Sequence, residues 1–140
     1  MPGMQPIRVL LANQHPIVRN NLRSLIERDS GLHVIAEAAN GREAVVLADY
    51  KHPDVILLDM KLPLLNGILA AREISSKNQK QGIVFVSVDT DDEYIQEAFK
   101  AGARGYVRSD SAQSDLVRAI RLVAEGGTFL SPGISATIGA

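Results

Sequence analysis

The chain has 140 residues, with 15 basic and 16 acidic side chains for a formal net charge of -1, and no cysteine. A chain of this length buries roughly 68 to 70% of its unfolded surface, enough for one domain whose core needs no covalent staple, and without cysteine it makes no disulfide or thiolate metal site. Basic residues scattered from Arg8 to Arg121 and only three Phe and three Tyr leave no electrostatic footprint or stacking platform for nucleic acid, and Val9-Leu10-Leu11-Ala12 is far too short for a membrane span or a signal core. The expectation is a soluble cytoplasmic protein.

Strands and helices alternate along the chain. Ile7 to Ala12 reads as an apolar strand, and Pro16 suits the first turn of a helix with Ile17, Val18, Leu22, Leu25 and Ile26 at helical spacing. Leu32 to Ala38 is a second strand. Asn40, with Glu43 three residues on, has the form of a capping box that opens a helix through Ala44, Val45, Leu47 and Ala48. Val55 to Asp59 is a third strand, apolar without interruption and so buried on both faces, as in a parallel sheet covered by helices. After Pro63 and the Asn66-Gly67 turn comes a helix to about Ser76, then a polar loop from Lys77 to Gly82 and a strand from Ile83 to Val88. Thr90 and Glu93 suggest a second capping box, for a helix with Tyr94, Ile95, Ala98 and Phe99 on one face that stops at Gly102. Gly105 to Val107 is a short fifth strand. Ser111 is placed to cap a last helix striped by Leu116, Ile120 and Val123 and ended by Gly126-Gly127.

Five β/α pairs joined by right-handed crossovers predict an α/β, flavodoxin-like, doubly wound parallel sheet of five strands in the order 2-1-3-4-5, with five helices. The switch point falls between the first and third strands, so Asn13-Gln14 and Asp59 are expected to face one another across the crevice where such sheets bind ligands. By position alone Asp59 is either a candidate nucleophile or metal ligand, or a solvated strand-end carboxylate. His15, His33 and His52 lie in different segments without ligand spacing.

Taken together, Ile7-Arg8-Val9-Leu10-Leu11-Ala12, His15-Pro16-Ile17-Val18-Arg19, Pro53-Asp54-Val55-Ile56-Leu57-Leu58-Asp59-Met60, Leu62-Pro63, Asn66-Gly67, Ala101-Gly102-Ala103-Arg104-Gly105-Tyr106 and Leu130-Ser131-Pro132 resemble receiver domains of bacterial two-component response regulators. The likeness covers roughly residues 5 to 132 and is similar in detail to the NarL/FixJ (LuxR-type) subfamily, with its CheY-like fold. It implies a receiver over 5–128, with 129–140 a tail or the start of a linker to a helix-turn-helix DNA-binding domain. It also implies that Asp59 is the phosphoacceptor, that Ser87 is the hydroxyl sensing the phosphoryl group, and that Tyr106 is the aromatic switch. Read from the residues alone, Ser87 is equally a strand-end hydroxyl bonded to backbone, and Tyr106 a part-buried core aromatic.

The sequence departs from the family pattern at two places. Where the family has an acidic pair after the first strand stand Asn13 and Gln14, and where it has a lysine three positions after the aromatic switch stands Ser109. Phosphoryl transfer needs positive charge around three equatorial oxygens, and Mg²⁺ wants hard oxygen ligands, usually with more than one carboxylate. Asp59 is thus expected to bind metal weakly or not at all, and Asn13 or Gln14 to donate a hydrogen bond to its carboxylate instead. Arg108 is a poor substitute for the missing lysine because neighbours on a strand point to opposite faces. Lys61 is the better residual cation, unless it pairs with Asp89.

The expected function is a non-enzymatic receiver that controls transcription through its own attached DNA-binding domain, weakly phosphorylated or not at all. Its expected partners are a sensor histidine kinase and a second copy of itself, with the final helix carrying Arg118, Arg121 and Glu125 as either a dimer face or a solvated one. An orthodox Mg²⁺-dependent phosphoacceptor is the alternative, and a small-molecule-binding flavodoxin-like module a further one, weakened by the lack of a Gly-rich phosphate loop.

Overall fold

The computed structural model describes residues 5–88, 91–110 and 113–131. In chain order these form β1 (Ile7–Ala12), α1 (Pro16–Glu27), β2 (Leu32–Ala38), α2 (Gly41–Lys51), β3 (Val55–Asp59), α3 (Gly67–Lys77), β4 (Gly82–Ser87), α4 (Asp92–Lys100), β5 (Gly105–Arg108), α5 (Gln113–Ala124) and β6 (Phe129–Leu130). All strands are parallel, in the order β2-β1-β3-β4-β5-β6. The expected order of the first five is therefore observed, but the sheet has a sixth strand. Phe129 N donates to Arg104 O at 3.0 Å and Ser131 N to Tyr106 O at 3.1 Å, so the chain leaving α5 returns to cover the edge of β5 that would otherwise present unpaired backbone.

Alternation along the central strands feeds two cores, one on each face. Leu10, Ile56, Leu58, Ile83, Phe85 and Tyr106 pack under α2, α3 and α4 with Ala44, Ala70, Ala71 and Ile95. Val9, Leu11, Val55, Leu57, Val84 and Val107 pack under α1 and α5 with Ile26, Leu116, Ala119 and Ile120. Both faces are covered, which is why β3 carries no polar residue before its end.

The helix starts follow side-chain capping where it is available. Asn40 Oδ1 accepts from Glu43 N at 2.9 Å, and Glu43 Oε1 accepts from Ala39 N at 2.7 Å, one residue earlier than the reciprocal bond of an ideal capping box. Asn66 Oδ1 accepts from Leu69 N at 2.9 Å and opens α3. The expected capping box of α4 is not what starts that helix. Its N-cap is Asp91, which makes no capping side-chain bond, while Thr90, like the expected cap Ser111 of α5, lies outside the described residues.

The apolar stripes of two helices overreach the core. In α1, Ile26 is buried and Leu22 and Leu25 half-buried, but Ile17 is 75% exposed and Val18 is exposed as well, because the first turn of α1 rises above the sheet beside the crevice. In α4, Ile95 and Ala98 are buried while Tyr94 is turned half out to solvent.

Candidate functional site

The carboxyl ends of β1, β3 and β4 open on a cavity of about 290 Å³ lined by Asn13, Gln14, His15, Val18, Leu22, Asp59, Lys61, Val86, Ser87, Val88 and Ser109. Of the site residues named from the sequence, Asn13, Gln14, Asp59, Lys61, Ser87 and Ser109 meet here, and Tyr106 and Arg108 do not line the cavity. Asp59 ends β3, and Ser87 ends β4 next to it in the sheet. Ser109 follows β5 and is tied to Ser87, whose carbonyl accepts from Ser109 N at 2.9 Å.

Asp59 is half-buried. Burial pushes its carboxyl above the ordinary carboxylate range; the backbone amides of Lys61 and Met60, and then the charges of His15 and Lys61, pull it partly back. The Lys61 amide lies 3.4 Å from Asp59 Oδ1. His15 was not legible as a member of this site, since no ligand spacing marks it; the available signal was only its place beside Gln14 on the loop after β1.

The two amides do not bond the Asp59 carboxylate in the way expected from the sequence. Asn13 is consumed locally: Oδ1 accepts from His15 N at 2.8 Å, its carbonyl accepts from Arg19 Nη1 at 2.7 Å, and its N–H donates to Ala38 O at 3.0 Å. Gln14 reaches across the crevice instead, its Nε2 donating to the Lys61 carbonyl at 3.0 Å. A backbone carbonyl outcompetes the carboxylate here because the loop after β3 turns that oxygen toward β1.

Arg108 does not stand in for the missing lysine. Its guanidinium makes a fork with Asp110 at 3.1 and 3.0 Å, and its own amide donates to Ser131 Oγ at 3.0 Å. Asp89, the other expected partner of Lys61, lies outside the described residues. Tyr106 is fully buried rather than part-buried, stacked on Phe85 with ring centroids 6.3 Å apart, and its hydroxyl donates to Met60 Sδ at 3.2 Å. It lies behind the crevice, one residue from Asp59 through Met60.

Mg²⁺ takes near-octahedral oxygen ligation, commonly with one or two carboxylates. Among the described residues lining this cavity, Asp59 is the one carboxylate, Asn13 Oδ1 already accepts a hydrogen bond, and the Lys61 carbonyl is taken by an N–H donor. No three His, Cys, Asp or Glu side chains among the described residues come together as a metal cluster. The described donor set offers such an ion a single carboxylate, with two of the neighbouring oxygens each already accepting a hydrogen bond.

Among the described residues, a parallel α/β sheet with five helices, an aspartate at the end of the third strand, and a buried hydroxyl and a buried aromatic on the next two strands has the arrangement of the receiver class. The response regulator receiver domain family matches residues 9–121, and the chain belongs to that family, in its NarL/FixJ subfamily. It is similar to the nitrate/nitrite response regulator protein NarL of Escherichia coli strain K12, 33% identical over 140 residues that are all of this chain and 65% of that protein. It is also similar to the transcriptional regulatory protein YxjL of Bacillus subtilis strain 168, 38% identical over 120 residues, covering 86% of this chain and 55% of that protein. Among solved structures, a LuxR-family two-component response regulator from Aurantimonas sp. SI85-9A1 superposes with a TM-score of 0.91 at 37% identity, covering 96% of each chain. The signal receiver domain of a NarL response regulator from Mycobacterium tuberculosis superposes with a TM-score of 0.84 at 26% identity, covering 87% of this chain and 98% of that one. The chain thus spans 65% and 55% of the length of these two curated relatives.

Proposed function

We propose that this receiver regulates transcription through an attached DNA-binding domain without depending on phosphorylation of Asp59. The observation that carries this reading is the donor set at the crevice. Asp59 has neutral amides where a second and third carboxylate would hold a cation, and a serine where a cationic side chain would neutralise the transferred phosphoryl group. A receiver of this kind biases its output by the conformation it already holds, since an equilibrium moves only when a ligand binds its two states differently. Its partners are the output domain, a second copy of the chain and, where a signal is passed to it, a sensor kinase, in a cytoplasmic setting. No helix among the described residues is long and apolar enough to cross a membrane.

The orthodox reading, a Mg²⁺-dependent phosphoacceptor, is favoured by one observation: Asp59 and Ser87 lie in the same cavity at adjoining strand ends. Acetyl phosphate with Mg²⁺, followed by intact-protein mass measurement, separates the two. The proposal expects no phosphoryl adduct on the wild-type chain; an adduct that is lost in Asp59→Asn establishes the orthodox reading.

A further inference from the structure

We propose that the Gln14 side chain is a built-in staple that holds the loop after β3 against the loop after β1, occupying the carbonyl oxygen that a divalent cation would need. The inference deepens the phosphorylation-independent reading and rests on it. The loops after β1 and β3 face one another at the mouth of the crevice, and a side-chain hydrogen bond spans them: Gln14 Nε2 to Lys61 O, 3.0 Å.

Both ends of the staple are fixed. On the β1 side, Asn13 is bonded to His15, Arg19 and Ala38, so the backbone from which Gln14 projects is pinned in three directions. On the β3 side, Met60 O accepts from Gly67 N at 2.9 Å and Pro63 O accepts from Gly41 N at 3.2 Å and from Leu65 N at 2.7 Å. The last of these closes a tight turn around Leu64, which sits at a φ of 67° and is 78% exposed. A non-glycine residue in that region is strained and persists only where its surroundings hold it. Lys61 lies on the crevice side of that turn, and the Gln14 bond ties it to the loop after β1.

An oxygen-seeking cation at this mouth would draw on Asp59, on the side chains at 13 and 14, and on the Lys61 carbonyl. Gln14 presents an N–H donor where such an ion would present positive charge.

The test compares wild type, Gln14→Ala and Gln14→Glu, with no phosphoryl donor present, so its outcome is independent of whether Asp59 can be phosphorylated. Amide hydrogen exchange is followed at Gly41, Leu65 and Gly67, with Ile56 and Val84 as core references. Loss of one hydrogen bond should speed exchange about fivefold at the loop amides in both variants and leave the references unchanged. Mn²⁺ is then added as the paramagnetic probe. Gln14→Glu removes the donor and adds a second carboxylate, so saturable broadening at Asp59 and Met60 in the millimolar range is expected there and not in wild type. Unchanged exchange in Gln14→Ala overturns the staple; so does wild-type broadening equal to that of Gln14→Glu, or its absence in Gln14→Glu.

Discussion

The hydroxyl of Tyr106 donates to Sδ of Met60 at 3.2 Å, so the buried aromatic at the centre of β5 is joined to the residue that directly follows Asp59. Sulfur is a weak acceptor, which makes this bond a small part of what the ring contributes. Tyr106 is fully buried between Phe85 and the α4 side of the core, and truncating it leaves a large void. Tyr106→Ala should destabilise by about 3–5 kcal/mol, whereas Tyr106→Phe should cost about 1 kcal/mol or less. Chemical denaturation of the two variants checks the ordering; equal losses would mean that the hydroxyl and not the ring anchors β5.

Gly41 begins α2 where the loop after β3 crosses it. A Cβ there would stand 1.7 Å from Leu65 O and 2.6 Å from Leu65 C, both backbone atoms. Helix propensity favours alanine over glycine by about 1 kcal/mol, but forcing the loop backbone aside costs about 1–3 kcal/mol. The clash wins, and Gly41→Ala should lower the unfolding midpoint. A raised midpoint would show that the loop yields freely.

How much of this was legible in the sequence depended on the kind of interaction. An uninterrupted apolar run placed β3 at its observed bounds, because a strand buried on both faces is apolar up to its end. β1 and β2 also lie at their expected bounds, although Arg8, His33 and Glu37 interrupt them. Phe129 and Leu130 gave no such signal: two residues carry no periodicity, and β6 exists only because β5 offers an open edge. Exposure of Ile17 and Val18 was hidden for a related reason, since spacing defines a face of α1 but not how far the sheet extends beneath it. At the crevice, the residue types at 13, 14, 59, 87 and 109 were readable and do meet. The acceptor of Gln14 was not, because a backbone carbonyl is present at every residue and leaves no mark in a sequence. Arg121 reads as a solvated cation, yet it pairs at 2.6 Å with Asp29 in the loop after α1, and Arg118 lies over the Phe129 ring with its guanidinium 5.7 Å from the centroid. The face of α5 expected to be either solvated or dimeric thus has two of its charges engaged within the chain.

Stability should depend on pH through Asp59 in a direction opposite to that of a salt-bridged carboxylate. Burial raises its folded-state pKa, so its contribution is most favourable below its unfolded value and is lost as pH rises through the folded one. At neutral pH the ionised carboxylate is a net cost. Asp59→Asn should therefore raise the denaturation midpoint at pH 7, and the advantage should shrink as pH falls toward about 3.9. Melting curves of both proteins across that range test the sign; an Asn variant that is less stable at pH 7 would mean that hydrogen bonds and nearby charge outweigh burial.

Restoring the lost charges should restore the chemistry. Asn13, Gln14 and Ser109 all line the cavity that holds Asp59, so carboxylates at the first two positions and an ammonium at the third would project into the same space. Two added carboxylates supply the anionic oxygens that Mg²⁺ requires, and Gln14→Asp also releases the Lys61 carbonyl from its amide donor. The lysine supplies the cation for the phosphoryl oxygens. Asn13→Asp, Gln14→Asp and Ser109→Lys together should give Mg²⁺-dependent binding of beryllofluoride, a phosphoryl mimic, with single changes giving less and Asp59→Asn abolishing it in the triple background. Binding followed by the amide resonances of Asp59 to Lys61 checks this. Wild-type binding as tight as that of the triple variant would show that Asp59 needs neither the acidic pair nor the lysine, and that phosphorylation drives this receiver after all.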